Sequence, residues 1–322
     1  MDIFFLTLQQ MLMMFVLITV GFLLRKKCIL PDNSHTVMAK METWIFVPAL
    51  SLFTQMTKCT VKTLSENSML ILYGLIICLA AVLISYPLSK LFVRNYKLSP
   101  ELSYQRNIYK YALTFGNYGF MGNFIILGVW GQDFFYKYSL FVLLLGIICY
   151  SWGLYVLIPK DQNAGIVDNL KKGLLTPPVI ALVIGIMAGL LDLTKYIPEF
   201  LITALDNAGK CQGPVAMVLA GFVIGGYNFK KLILNKKVYV VSLVRLIVIP
   251  AMLMLVLKLI GTNDEIMTLA LIAFATPLGL NTVVYPAAYG GDTETGASMA
   301  MISHVLSVIT IPVMYLLFIV ML

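Results

Sequence analysis

Apolar runs of about twenty residues follow one another along the entire chain, and no other feature restricts its fold as strongly. Ten can be marked: Ile3–Leu24, Thr36–Met56, Met69–Phe92, Asn107–Trp130, Tyr138–Ile158, Leu174–Leu193, Phe200–Gly226, Val238–Ile260, Ile266–Tyr289 and Ala297–Leu322. Each is close to the length a helix needs to cross a hydrocarbon layer roughly 30 Å thick. With 60% hydrophobic and 12% charged residues and a mean hydropathy of +0.90, a soluble domain is excluded. The expectation is an all-α integral membrane protein of about ten transmembrane helices, with the lipid bilayer as its surroundings. The first run has no basic stretch before it and reads as a retained helix, not a cleaved signal.

Two of the runs contain what a spanning helix normally avoids. In Thr114–Gly122, Gly116, Gly119 and Gly122 recur around Asn117. In Ala275–Tyr285, Pro277 and Gly279 precede Asn281 and Thr282. Glycine weakens a helix and proline removes a backbone donor, so both helices should be broken. Opened backbone at membrane depth survives only where protein buries it or where it faces a watery cavity. One interruption in each half of a chain points to the substrate site of a secondary transporter.

The halves are related. Asn117 and Asn281 lie 164 residues apart, and the mid-span prolines Pro48 and Pro214 lie 166 apart. The spacing predicts a first five-helix repeat over 1–158, a short cytoplasmic connecting loop over 159–173 and a second repeat over 174–322. Five is odd, so the second repeat enters the membrane inverted. The loops after runs one, three, five, seven and nine, with the helix ends that flank them, hold 15 of the 23 Lys and Arg residues, although the last of these loops carries only Asp292 and Glu294. The positive-inside rule makes these loops cytoplasmic and both termini extracytoplasmic, in a multi-pass protein of the plasma membrane. Orientation accounts for most of the net charge of +8, and no nucleic-acid partner is expected.

Several stretches resemble the auxin efflux carrier family, which includes bacterial malate and malonate permeases and the plant PIN carriers. Gly116-Asn117-Tyr118-Gly119-Phe120-Met121-Gly122 is similar to the family's GN-x-GF-x-G. Asn281-Thr282-Val283-Val284-Tyr285 followed by Tyr289-Gly290-Gly291-Asp292, Leu306–Pro312, and Phe46-Val47-Pro48-Ala49-Leu50 match further family segments in the right order. The resemblance implies two inverted five-helix repeats whose fourth and ninth helices cross at their breaks. It implies a scaffold of spans one, two, six and seven, often a homodimer interface, and a mobile domain of the remaining spans. Substrate would sit beside the crossing and move by an elevator-like alternation of access. The chain departs from the pattern at Asn123 and Phe124, at Lys210 and Gln212 before Pro214, and at His304.

The substrate-binding candidates are Ser51, Gly116, Asn117, Tyr118, Gly119, Asn123, Pro277, Asn281, Thr282 and Tyr285. Asn117 and Asn281 can donate and accept hydrogen bonds, and half-helix N-termini favour anions; each amide could equally cap its own broken helix. Ser51 resembles a second-span position that faces substrate in the plant carriers, while a bond to its own helix carbonyl is the alternative. Lys210, Arg245 and His304 are candidates for charge or proton coupling. Arg245 either neutralises an anion, holds a half-helix carbonyl end, or snorkels to the surface. Lys210 is expected to pair with Asp206 four residues back, and His304 is either a proton carrier or a neutral packing residue. Glu42, near Lys40, is placed at the rim of the second span. The five cysteines form no CxxC pair, the two histidines form no metal-spaced cluster, and no cofactor is expected.

The function these readings favour is a carrier for small organic anions such as malate, with a proton or sodium ion as coupling partner. Cation exchange on a related fold would need carboxylates in the broken spans, which have none. An intramembrane protease would need a nucleophile or aspartyl motif, and none is present. The remaining alternatives are a sensor built on a transporter fold and a sodium- or proton-coupled transporter of a different solute.

Overall fold

The computed structural model describes residues 2–158, 174–228, 236–288 and 292–321, together with 168, 171 and 234. Most of the connecting loop expected over 159–173, and Tyr289-Gly290-Gly291 from the family-like stretch, lie outside these. Among the described residues the chain is helical, apart from turns and one isolated bridge. In order the helices are α1 Asp2–Lys26, α2 Ser34–Met41, α3 Val47–Lys58, α4 Val61–Asn67, α5 Met69–Phe92, α6 Pro100–Thr114, α7 Asn123–Phe141, α8 Leu143–Ile148 and α9 Leu154–Leu157. They continue with α10 Pro177–Leu190, α11 Glu199–Gly225, α12 Lys236–Leu243, α13 Ile249–Leu259, α14 Asp264–Ala275, α15 Asn281–Ala288 and α16 Glu294–Tyr315.

Among the described residues, five stretches are long and apolar enough to cross a membrane unbroken: Ile3–Lys26, Val61–Phe92, Glu199–Gly225, Lys236–Leu259 and Glu294–Met321. They correspond to runs one, three, seven, eight and ten. The other runs are interrupted or short, for visible reasons. The fourth and ninth open at their Gly and Pro segments, and α10 has only 14 residues. The segments Tyr118–Phe141 and Leu143–Leu157 meet at 51°, and Gly131 (φ 76°) adds a sharp turn inside α7 that glycine alone adopts without strain.

The second run carries a wide π turn, Glu42–Phe46, just ahead of Pro48. A second such turn, Val244–Val248, precedes Pro250. The proline ring presses on the carbonyl four residues earlier, and a π turn relieves that crowding without ending the helix.

Packing follows the logic of lipid as solvent. On α5 the inward positions are Leu70, Gly74, Ile77, Cys78, Ala81, Ser85 and Ser89, while Leu72, Ile76, Leu79 and Leu83 face outward. Small residues lie inside and large aliphatics outside, because close backbone approach stabilises helix pairs where water exerts no drive. The pairing of α1 with α11 shows this most clearly. A β-carbon on Gly21 would lie 2.0 Å from the Val218 carbonyl oxygen, and one on Gly221 would lie 1.8 Å from that of Ile18. Helices α1, α3, α10 and α11 pack along one another as one group.

Candidate functional site

Helix α6 starts at Ser99, whose hydroxyl accepts from the Leu102 amide at 3.2 Å, and ends at Thr114. Phe115 is extended, and Asn117 then opens a π turn, Tyr118–Gly122, that leads into α7. The Asn117 carbonyl accepts from the amides of Met121 and Gly122. In the second half α14 starts at the Asn263 cap and stops at Ala275, Thr276 is extended, and α15 restarts at Asn281.

The two interruptions meet. Gly116 and Leu278 form an isolated antiparallel bridge, and the Asn117 amide donates to the Pro277 carbonyl at 2.7 Å. The Leu278 amide donates to Ser303 Oγ at 3.0 Å. Backbone groups freed by the breaks thus find partners in each other and in α16, as an apolar interior demands. Gly116 is needed sterically: a β-carbon there would stand 2.5 Å from Arg245 Nη2 and 2.8 Å from the Thr276 carbonyl oxygen.

Beside this junction lies a cavity of about 130 Å³. Ser51, Gly116, Asn117, Tyr118, Gly119, Asn123 and Asn281 line it. Asn281 Nδ2 donates to Tyr111 Oη at 2.8 Å, and Tyr111 Oη lies 3.0 Å from Cys149 Sγ. Asn117 Nδ2 is 3.2 Å from His304 Nε2, while His304 Nδ1 is 2.7 Å from the Ala300 carbonyl oxygen. A carbonyl only accepts, so Nδ1 carries the proton and Nε2 accepts from the Asn117 amide. His304 therefore stands behind Asn117 and orients it, without lining the cavity.

Two expected binding residues, Pro277 and Thr282, take other places. Pro277 supplies the carbonyl that holds the crossing. Thr282 is buried, and its hydroxyl donates to the Gly279 carbonyl at 2.8 Å. Tyr285 lies on α15 with its side chain outside the described residues. Lys210 is exposed and paired with Asp206 at 2.5 Å, away from the cavity. Arg245 is completely buried, and its Nη1 donates to the Phe274 carbonyl in the last turn of α14. Among the described residues, Nε and Nη2 have no hydrogen-bond partner. Its positive charge stands directly behind Gly116.

Sequence reasoning missed Thr43, Ser139, Gly279 and Leu280 in the lining. It also missed Gln55, which donates to Ser139 Oγ at 2.6 Å, and passed over Gln212 as a mere departure, although its Nε2 lies 3.5 Å from the Gly119 and Phe120 carbonyl oxygens. A buried glutamine in an apolar run was the available signal. Glu42 corrects the rim placement: it is fully buried within the π turn.

An all-helical bundle with several apolar spans and a cavity beside two broken helices, into which a few polar groups converge, is the architecture of a membrane transporter. The chain belongs to the membrane transport protein family, the family of auxin efflux carriers, which it matches over residues 6–315. It is also 33% identical over 97 residues to an uncharacterized transporter of Schizosaccharomyces pombe. That match covers 30% of this chain and about one fifth of the yeast protein.

Proposed function

We propose that the protein is a secondary active transporter of small organic anions, carboxylates of malate's size among them, that works by elevator-like alternating access. The observation that carries this reading is the cavity at the junction of the two broken helices. Asn117 and Asn281 offer amides there, the half-helices that begin at Tyr118 and Asn281 offer their positive ends, and Arg245 stands behind. Fixed dipoles and a buried cation favour an anion even though no basic side chain lines the cavity. The proposed architecture is two inverted five-helix repeats in the plasma membrane with both termini outside. The group of α1, α3, α10 and α11 serves as scaffold and, in a homodimer, as the contact between copies.

Uptake of labelled malate and related carboxylates into proteoliposomes, under separate pH and sodium gradients, tests this. Saturable uptake is expected, with Asn117→Ala and Asn281→Ala each reducing it at least tenfold. Parent and variants equally inactive across a broad anion panel would refute the anion reading and favour a sensor.

A further inference from the structure

The broken spans contain no carboxylate, but the second span does, and the structure places it where a carboxylate is least expected. Glu42 is 0% exposed, and among the described residues neither carboxyl oxygen has a hydrogen-bond partner. It sits on the π turn ahead of Pro48, six residues into an apolar run, on the segment whose next residue, Thr43, lines the cavity together with Val47 and Ser51. The turn packs against α2, α3, α10 and α11.

No charge on those elements answers it. On its own span His35 bonds the Asp32 carbonyl, Lys40 is exposed, and Lys58 pairs with Asp133. On α11 Asp206 and Lys210 pair with each other, Cys211 is exposed, and Glu199 lies in the first turn. Helix α10 carries no titratable side chain. An ionised carboxylate without a partner is too costly to bury. A metal cation would require several oxygen ligands, and among the described residues no second donor group lies within hydrogen-bond distance. A proton is the ligand that fits.

We propose that Glu42 is a proton-binding site, holding its proton in the conformation described. When the cavity side of the π turn opens to water, the O–H bond breaks, the proton passes to water as hydronium, and the carboxylate left behind is solvated. Coupling of this step to transport rests on the anion-carrier reading; the site itself does not.

The test is infrared difference spectroscopy of the full protein in liposomes, in H₂O and D₂O across a pH series, without substrate. The parent should show an un-ionised carboxyl band that shifts on deuteration and is lost in Glu42→Gln. Identical bands in parent and variant would overturn the proposal. If Glu42→Gln does not fold, Glu42→Asp must move the band, and an unmoved band overturns the proposal as well. In the same liposomes, malate uptake driven by a proton gradient should fall at least tenfold in Glu42→Gln, while malate–malate exchange persists. An unchanged gradient response with the band lost would overturn the coupling. A parent that carries no anion of the broad panel would defeat the anion reading and leave the band to decide the proton site.

Discussion

At the junction of the breaks, two glycines three residues apart face opposite demands. Gly116 lies against the Thr276 backbone and the Arg245 guanidinium, whereas nothing lies within 4 Å of a β-carbon at Gly119, which lines the cavity. Gly116→Ala should therefore force the crossing apart and cost roughly 1–3 kcal/mol, read as a lowered melting temperature in detergent with transport lost. Gly119→Ala should leave the melting temperature unchanged and raise KM several-fold, because its methyl group occupies substrate space. Arg245→Met should do both things at once. It leaves the Phe274 carbonyl without its charged donor, costing about 1–3 kcal/mol, and removes the positive charge behind the cavity. A destabilised variant with weaker anion binding is the expected result, measured by melting and by substrate protection against heat.

At the scale of the element, two of the buried ionisable groups, Glu42 and Arg245, share a local device: each rides on a π turn that ends two residues before a proline. The wide turn inserts one residue into the helical count, so everything before it is rotated by about 100° relative to a regular α-helix. Pro250→Ala removes the reason for the wide turn. Its expected effect is a helix that regularises, turns Arg245 away from the Phe274 carbonyl and loses transport, with helix content by circular dichroism unchanged. A variant with full activity would show that the turn is held by packing alone. The prolines were legible in the sequence. The π turns were not, because the apolar period cannot show a single inserted residue, so the face on which Glu42 falls could not be read.

Across the whole molecule, few polar contacts link the α1, α3, α10 and α11 group to α7. Gln10 Nε2 donates to the Phe124 carbonyl at 3.2 Å, Gln55 to Ser139 Oγ at 2.6 Å, and Gln132 to Thr54 Oγ1 at 2.5 Å. Lys58 pairs with Asp133 at 2.7 Å, and both are partly open to solvent. The elevator reading requires these contacts to break in each cycle. A cysteine pair at Thr54 and Gln132, with exposed Cys28 and Cys211 replaced by serine, should stop uptake on oxidation and restore it on reduction. Lys58→Met should change little, since exposed ion pairs contribute about 0–1 kcal/mol.

The sequence by itself determined the class of this protein. Runs of about twenty apolar residues leave a helix no alternative in lipid, and Gly and Pro mark where two of those helices open, since their effect on the backbone is local. Hence Asn117, Asn281 and the glycines beside them could be read directly as the places where the two helices open. Only the tertiary structure decided which polar groups meet. His304 behind Asn117, Arg245 at the end of α14, Gln55 against Ser139 and Glu42 without a partner each depend on contacts between segments far apart in the chain. Composition and period constrain which face of a helix is buried, but not the neighbour that covers it, and that neighbour determines whether a buried charge is paired, orienting or bare.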